Sequence, residues 1–300
     1  MNHIPVLTNE VILVLDPKPN QNFIDATLGF GGHAKLILKK TAPEGKLLGI
    51  EQDIEALKAS EKNLEDFGER FSYYHGNFTN LGLIIRDWKV DSISGILCDL
   101  GVSTYQLSTK DRGFSFSEDA PLDMRMDQTR QKLTAENIVN NYSVKSLNQI
   151  LFQLGEERFA KKIVDKIILA RKEEPIRTTS QLVKIIKSTM PPSYRYNRDH
   201  HFATSTFRAL RMAVNDELGN LKKILSQVYS VLPIGGRVAI ISFHSLEDRI
   251  VKNFFKNSEH WKIINQKPIT ATNDESIKNP SSRSAKLRAA IKVNNYSIKN

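Results

Sequence analysis

The chemistry legible in this chain gathers at points where an apolar run gives way to polar residues. Asp25 opens the stretch DATLGFGGH, whose Gly29 and Gly31, with Ala34 just after it, satisfy G-x-G-x-x-[GA]. Such a turn lets backbone come close to a nucleotide-bearing ligand and opens a helix whose N-terminus faces it. Glu51 ends the next apolar run, about 20 residues on, where a carboxylate accepts hydrogen bonds from ribose hydroxyls. Glycine pattern and acid together point to a ribose-bearing cofactor. A tight turn beside a surface glutamate is the plain structural alternative.

Further residues separate the cofactors that share this pattern. A carboxylate at Asp25 repels a pyrophosphate but suits the α-amino group of a methionine moiety. HGNF and CDLG end two later apolar runs and place Phe78 and Asp99 at the same rim, since ligands of open α/β sheets sit at the carboxyl ends of strands. An aromatic ring for an adenine and an acid near the reacting centre favour S-adenosylmethionine, and methyl transfer, over a nicotinamide dinucleotide. Taken singly, Phe78 also reads as core and Asp99 as a helix cap. GFGGHAK lacks the phosphate-loop spacing, no nucleophile elbow is present, and the scattered histidines show no metal-ligand spacing, so no metal is expected. His200 and His201 are adjacent and read as loop or RNA-facing.

These residues need an alternating scaffold. NFIDAT, KLLGIEQD, FSYYHGNF and SISGILCDLG read as strands, the last apolar enough to be buried on both faces. Helical spacing follows the first two, from about His33 to Lys40 and over IEALKASEKNLEDFG. That alternation implies a parallel sheet. From about Tyr105 the texture changes: STKDRGFSFSEDAPLDMRMD reads as a long loop, and SLNQILFQLGEERFAKKIVDKIILARK and TTSQLVKIIKSTM as helices. DELGNLKKILSQVYSVL then predicts a helix, GRVAIISF a strand, HSLEDRIVKNFFK a helix capped through Ser245 and Asp248, and AKLRAAIKV a last strand. Residues 265–284 read as a loop. The expected fold is an α/β sheet made by residues 1–104 and 212–300. A mostly helical domain, residues 105–211, is inserted into it.

The 300 residues are 40% hydrophobic and 25% charged, enough for a core without staples. The single cysteine, Cys98, lies in an apolar run and suits a reducing, cytoplasmic setting. Neither a signal peptide nor a membrane span is read. A net charge of +10 favours a polyanionic partner.

The blocks HIPVLTNE, DATLGFGGH, GILCDLGVS with YQL, RGFSFSEDAPLDMRMD, GEERFAKKI, SFHSLEDRIVK and NPSSRSAKLR occur in this order. Together they closely resemble the bacterial 16S rRNA (cytosine-N4)-methyltransferase family of the MraW or RsmH type, across essentially the whole chain. The resemblance implies S-adenosylmethionine-dependent methylation of N4 of a decoding-centre cytidine (cytosine 1402 in the usual bacterial numbering). The partner it implies is 16S rRNA within the small ribosomal subunit or its precursor, and it allows a homodimer. It implies a Rossmann-like class I S-adenosylmethionine-dependent methyltransferase sheet with an inserted helical domain, and it carries cofactor contacts onto Gly31, Gly32, His33, Glu51, Phe78, Asp99 and Gln106, and substrate recognition onto the inserted domain. The family usually has aspartate at Glu51, and HFATSTFRALR departs from the usual HPATRTFQALR at Phe202, Ser205 and Arg208. Ser281 stands where arginine is common.

Methyl transfer from a sulfonium is an in-line displacement that asks mainly for alignment. Cytosine N4 is a poor nucleophile, and an acceptor for an N4 hydrogen helps most in the transition state. Asp99, or the carbonyls of DLGVS, is the candidate. The [DNS]-P-P-[YF] motif of many amino-methyltransferases is missing after this run, and MPPSY lies in the insertion and reads as a turn. The base must be single-stranded or flipped. Arg112, Phe114, Phe116 and Arg125 offer stacking and charge for RNA, as do Arg249, Arg283, Lys286 and Arg288. A non-catalytic ribosome-assembly factor would use the same basic surface, and a nicotinamide-dependent oxidoreductase the same glycine pattern.

Overall fold

Short, mostly apolar strands carry the sheet, and three of them end on the acids Asp25, Glu51 and Asp99. The computed structural model of the chain describes residues 4–196 and 201–294. It divides into two compact units, Met1–Gly101 with Leu218–Asn300, and Val102–Glu217. The inserted unit therefore begins three residues earlier and ends six later than the texture change suggests.

The first unit holds an eight-stranded sheet. Its strands are β1 (Phe23–Asp25), β2 (Leu47–Glu51), β3 (Phe71–His75), β4 (Gly95–Asp99), β5 (Arg237–Ser242), β6 (Trp261–Ile263), β7 (Ile269–Thr270) and β8 (Lys286–Lys292). The order is β3-β2-β1-β4-β5-β8-β6, with β7 on β8. β1 to β5 are mutually parallel, and β8 runs antiparallel to β5, β6 and β7. The expected all-parallel sheet is thus a mixed one. Its antiparallel end joins β8, the strand expected over AKLRAAIKV, to β6 and β7, which are too short to show in the sequence.

Both faces are covered, as the unbroken apolar runs require. Ile24, Leu48, Ile50, Ile96, Cys98, Val238 and Ile240 pack on one side, with Leu221, Ile224, Val228, Val251 and Phe255. Phe23, Leu47, Leu97, Ala239 and Ile241 pack on the other, against Ala34, Ile37 and Leu38 of the Gly32–Lys40 helix and Val11, Val14 and Leu15 of Thr8–Leu15. Parallel register pairs Asp25 with Gly49 and with Leu97, and Glu51 with His75. Since side chains alternate with period two, Asp25, Glu51 and Asp99 share the glycine helix's face. Asp25 lies two residues deeper than the other acids.

Several local expectations are revised. The helix after β5 is Ser245–Lys256, and its cap is His244, whose Nδ1 accepts the Glu247 N–H at 3.4 Å; Ser245 is already the first helical residue. Glu247 completes the arrangement by accepting the Phe243 N–H at 2.9 Å. Residues 265–284 are ordered as β7, a helix Asn273–Lys278 and a 3-10 turn Pro280–Ser284.

In the second unit the helix expected through residues 146–172 breaks. Val144–Gln149 runs into a π-turn, Ile150–Leu154, and a new helix spans Ala160–Glu173. Between them Glu156 has φ 50°, and a side chain at Gly155 would stand 2.6 Å from the Leu151 carbonyl oxygen. MPPSY contributes to a short helix, Pro192–Tyr196, instead of a turn. The unit's core joins Leu147, Leu151, Ile163, Leu182 and Leu210 to Phe114, Leu122, Met124 and Met126 of the long loop.

Candidate active site

The rim formed by the carboxyl ends of β1, β2 and β4 collects the acids of the sheet. β1 runs into a turn in which Gly29 and Gly31 take φ 52° and 78°, a conformation open to glycine. Gly31 then caps the Gly32–Lys40 helix. A Cβ at Gly31 would stand 2.8 Å from Leu64 Cδ1, and one at Gly32 2.8 Å from Pro5 Cγ. The glycines are thus required by the turn and by close protein packing, whatever else approaches the backbone.

Glu51 ties this turn to β2. Its Oε2 accepts the Gly29 N–H at 2.8 Å, and its Oε1 accepts from Gln52 and Asp53 at 2.9 and 2.8 Å. Burial nevertheless pushes the carboxyl up to about 7, against the pull of those amides. Phe78 begins a 3-10 turn after β3 and packs on the sheet's core. Asn77 before it accepts the Thr79 N–H and donates to Gln52 Oε1 at 3.1 Å, joining the β2 and β3 ends.

Asp99 closes the rim. Its N–H donates to the Thr27 hydroxyl, which locks the β4 end to the residue after β1. Its Oδ2 lies 3.6 Å from His33 Nε2. Asp99 Oδ1 and both His33 ring nitrogens are buried without a hydrogen-bond partner among the described residues. Asp25, 1% exposed, sits beside them. Burial raises its carboxyl to about 6, His33 and the Thr27 amide oppose that, and Asp99 adds to it. A cluster of two acids and an imidazole with orphaned polar atoms is rare unless a ligand supplies the partners. Cys98 is buried behind it, its thiol pushed up by burial and the two acids.

His33 as a side chain and Thr27 are what residue reasoning alone did not find. No spacing rule brings positions 33 and 99 together; only β1–β4 pairing and the first turn of the helix do. Gln106 belongs to the second unit. It is buried at the third position of the Thr104–Ser108 helix, where its Oε1 accepts the Ser103 N–H in a capping box.

The chain matches the MraW methylase family over residues 1–293. It belongs to that family. Ribosomal RNA small subunit methyltransferase H of Thermosipho melanesiensis is 48% identical over 291 residues, 97% of this chain and 98% of that protein. The protein of the same name from Nostoc sp. is 47% identical over 291 residues, 97% of this chain and 93% of that one. Among solved structures, an rRNA methylase from Streptococcus thermophilus covers 98% of this chain and 99% of its own, at TM-score 0.45 and 10% identity, too remote to add to the argument. Membership in the methylase family makes the chain a methyltransferase with S-adenosylmethionine as cofactor and sets aside the nicotinamide reading. The rim suits that group, since buried, unpartnered acceptor atoms call for a ligand with a cationic end.

The expected RNA residues divide. Arg112 is buried, its Nη2 donating to the Arg125 and Met126 carbonyls at 3.0 Å, and its guanidinium lies 5.7 Å from the Phe114 ring. Phe114 is core, and Arg288 is buried against Asp248 at 2.6 Å. These three are corrected to structural roles, because each is enclosed by its own unit. Arg125 is held bidentately by Asp123, at 2.8 and 2.7 Å, and also donates to Gln131 O. Phe116 is partly buried, stacked on exposed His201 at 4.5 Å and edge-on to Phe207. Arg249 and Arg283 are exposed and Lys286 partly so. His200 lies outside the described residues.

The unusual segment has a structural account as well. Phe202 is buried, and Arg208 Nη2 donates to the Gly155 carbonyl at 2.9 Å, fastening the helix break. Ser205 lends its carbonyl to the close approach at Gly155. Ser281 is exposed, and nothing around it explains the residue. Among the described residues no helix is long and apolar enough to cross a membrane.

Proposed function

We propose that this chain, in the cytoplasm, methylates N4 of a decoding-centre cytidine of 16S rRNA within the small ribosomal subunit or its precursor. The observation that carries the proposal is near-full-length identity of 47–48% to proteins named ribosomal RNA small subunit methyltransferase H. The order of blocks through the sequence and the basic charge support the target.

In this reading Gly31, Gly32 and His33 present the turn's backbone to the cofactor. Glu51 takes the ribose hydroxyls, Phe78 lies along the adenine, and Asp25 serves the amino group. The family resemblance assigns Gln106 to the cofactor as well, and substrate recognition to the inserted unit. S-adenosylmethionine supplies an electrophilic methyl group. Asp99 Oδ1, which has no hydrogen-bond partner among the described residues, accepts a hydrogen bond from the N4 amine, and the methylated nitrogen loses its proton to water. That bond favours a pyramidal nitrogen and strengthens as positive charge develops there, so it acts mainly on the transition state. The flipped base needs a stacking surface and its phosphates need charge; Phe116 is assigned the first role and the exposed Arg249 and Arg283 with Lys286 the second, Arg125 adding its outer edge.

Methyl transfer from labelled S-adenosylmethionine to subunits lacking base methylation, followed by nucleoside mass spectrometry, tests the proposal. N4-methylcytidine is expected. Label on another nucleoside would leave methyl transfer standing and remove the N4 assignment.

A further inference from the structure

HIPVLTNE, the first of the ordered sequence blocks, has no part in the mechanism above. From Ile4 onward it lies along the glycine turn. A Cβ at Gly32 would stand 2.8, 3.1 and 3.2 Å from Pro5 Cγ, Cδ and Cβ, so one edge of the proline ring covers that glycine. Val6 and Leu7 are buried with Ala34, Ile37 and Leu38 of the helix that the turn opens.

Apolar packing is non-directional and does not by itself fix this course. Leu7 has φ 52°, a region that leucine adopts only where its surroundings impose it. Two hydrogen bonds from the far end of the chain do so. The Leu7 N–H donates to Glu275 Oε1 at 2.7 Å across 268 positions, and Asn279 Nδ2 donates to the Ile4 carbonyl at 2.9 Å across 275. Pro5 lies between the two bonded residues.

Glu275 and Asn279 are held in turn by their own neighbours. The helix Asn273–Lys278 is capped by Thr272, whose Oγ1 accepts the Glu275 N–H, and the Asn279 N–H donates to the Glu275 carbonyl at 2.7 Å. Asn279 opens the block NPSSRSAKLR, and its carbonyl accepts both the N–H and the hydroxyl of Ser282. The first and last sequence blocks are thus joined beside the turn.

We infer that Glu275 and Asn279 are positioning residues for the methyl donor: they hold Ile4–Leu7 as a strap against Gly32, and the strap fixes the backbone of Gly31, Gly32 and His33 in its donor-binding course. The inference rests on the reading above that this backbone faces the cofactor. Both residues act through the strap and not by contact with the donor. Without their bonds Leu7 relaxes to extended backbone and Pro5 leaves Gly32. The first turn of the helix then gains freedom that donor binding must remove, at a cost in affinity.

Titration calorimetry of S-adenosylmethionine into the full chain tests this. Glu275→Ala should raise the donor Kd about tenfold, the scale of one hydrogen bond to a charged group. Glu275→Gln keeps an acceptor oxygen and should restore most of the affinity. Asn279→Asp has the same shape but no N–H to donate, and should weaken binding even if the alanine variant fails to fold. Pro5→Ala should weaken it too, and adding Glu275→Ala or Asn279→Asp to that variant should cost little more, because all act on one strap. Ties that served the fold alone would lower the melting temperature and leave the folded protein's donor affinity unchanged. That result, or losses that simply add, would overturn the inference. Hydrogen exchange separates its failure from that of the reading beneath it: donor that binds without protecting the Gly32 and His33 amides would take the cofactor away from the turn altogether.

Discussion

The strand rim and the long loop of the inserted unit use the same residue types in opposite ways. At the rim, Asp99 and His33 have buried polar atoms without hydrogen-bond partners among the described residues, and burial raises the carboxyls of Asp25 and Glu51. In the loop, Asp123 is partly buried, and Arg125's two charge-assisted bonds and its amide hold that carboxyl below the usual range against the burial. Asn215 accepts from the Met126 N–H and donates to the Met124 and Arg211 carbonyls, each at 2.8 Å. Polar groups that a fold satisfies internally serve its architecture. Those left wanting beside a cluster of acids mark a candidate ligand site.

The sharpest way to break this contrast is Asp99→Ala. Losing an acceptor poised for the transition state should cut kcat at least about a hundredfold. The melting temperature should hold or rise, since the substitution also removes a buried oxygen with no partner. Wild-type turnover by the variant, with donor binding intact, would remove Asp99 from catalysis. Asn215→Ala is the counterpart in the inserted unit. It strands an N–H and two carbonyls, and urea denaturation should show a loss of about 2–4 kcal/mol. Donor affinity of the folded fraction should stay within twofold or so, a range too small to register as a binding contribution. If the two variants exchanged phenotypes, satisfaction of polar groups would be no guide to role here.

How far the sequence discloses this contrast depends on distance along the chain. The acids at strand ends are legible because an apolar run ending on Asp or Glu marks its own rim, so Asp25, Glu51 and Asp99 emerge from local pattern. The parallel half of the sheet emerges in the same way. β6 and β7 do not, since strands of two or three residues carry no usable periodicity and are fixed only by pairing with β8. The loop RGFSFSEDAPLDMRMD misleads for a related reason. Arg112, Phe114 and Arg125 look like an RNA surface until Leu122 is seen bonded to Arg177 O and Met126 to Asn215, contacts 55 and 89 positions apart. The break at Gly155 was likewise hidden, because GEERF continues helical spacing while Glu156 leaves helical backbone.

Acid titration distinguishes the two regions by sign. Asp25 is raised from 3.8 to about 6 and Glu51 from 4.5 to about 7. Both then bind protons more tightly folded than unfolded, so between about pH 4 and 7 they make the donor-free protein less stable as pH rises. Asp123 has the opposite sign: its lowered value adds stability that is lost only as pH falls below the ordinary carboxylate range. Thermal melts of wild type, Asp25→Asn and Glu51→Gln across that window check the assignment. Each amide variant should flatten the decline, and an unchanged slope in both would mean that the rim acids are not the groups responsible.

The smallest expected effect sharpens the division between enclosed and exposed cations. Arg288 is buried on Asp248, while Arg249, on the helix Ser245–Lys256, and Arg283, in the turn before β8, are exposed. An exposed arginine that meets an RNA phosphate contributes chiefly through counterion release. Replacing one by alanine should therefore weaken rRNA binding only a few-fold while lowering the slope of log affinity against log salt by about 0.7. Arg288→Ala should do the reverse, lowering stability through the abandoned Asp248 carboxylate and leaving the salt slope alone. Filter binding over a salt series, read beside melting curves, separates the outcomes. A slope unchanged in both Arg249→Ala and Arg283→Ala would mean that the RNA lies on another face, because affinity can be lost by indirect routes but the count of released ions follows contact itself.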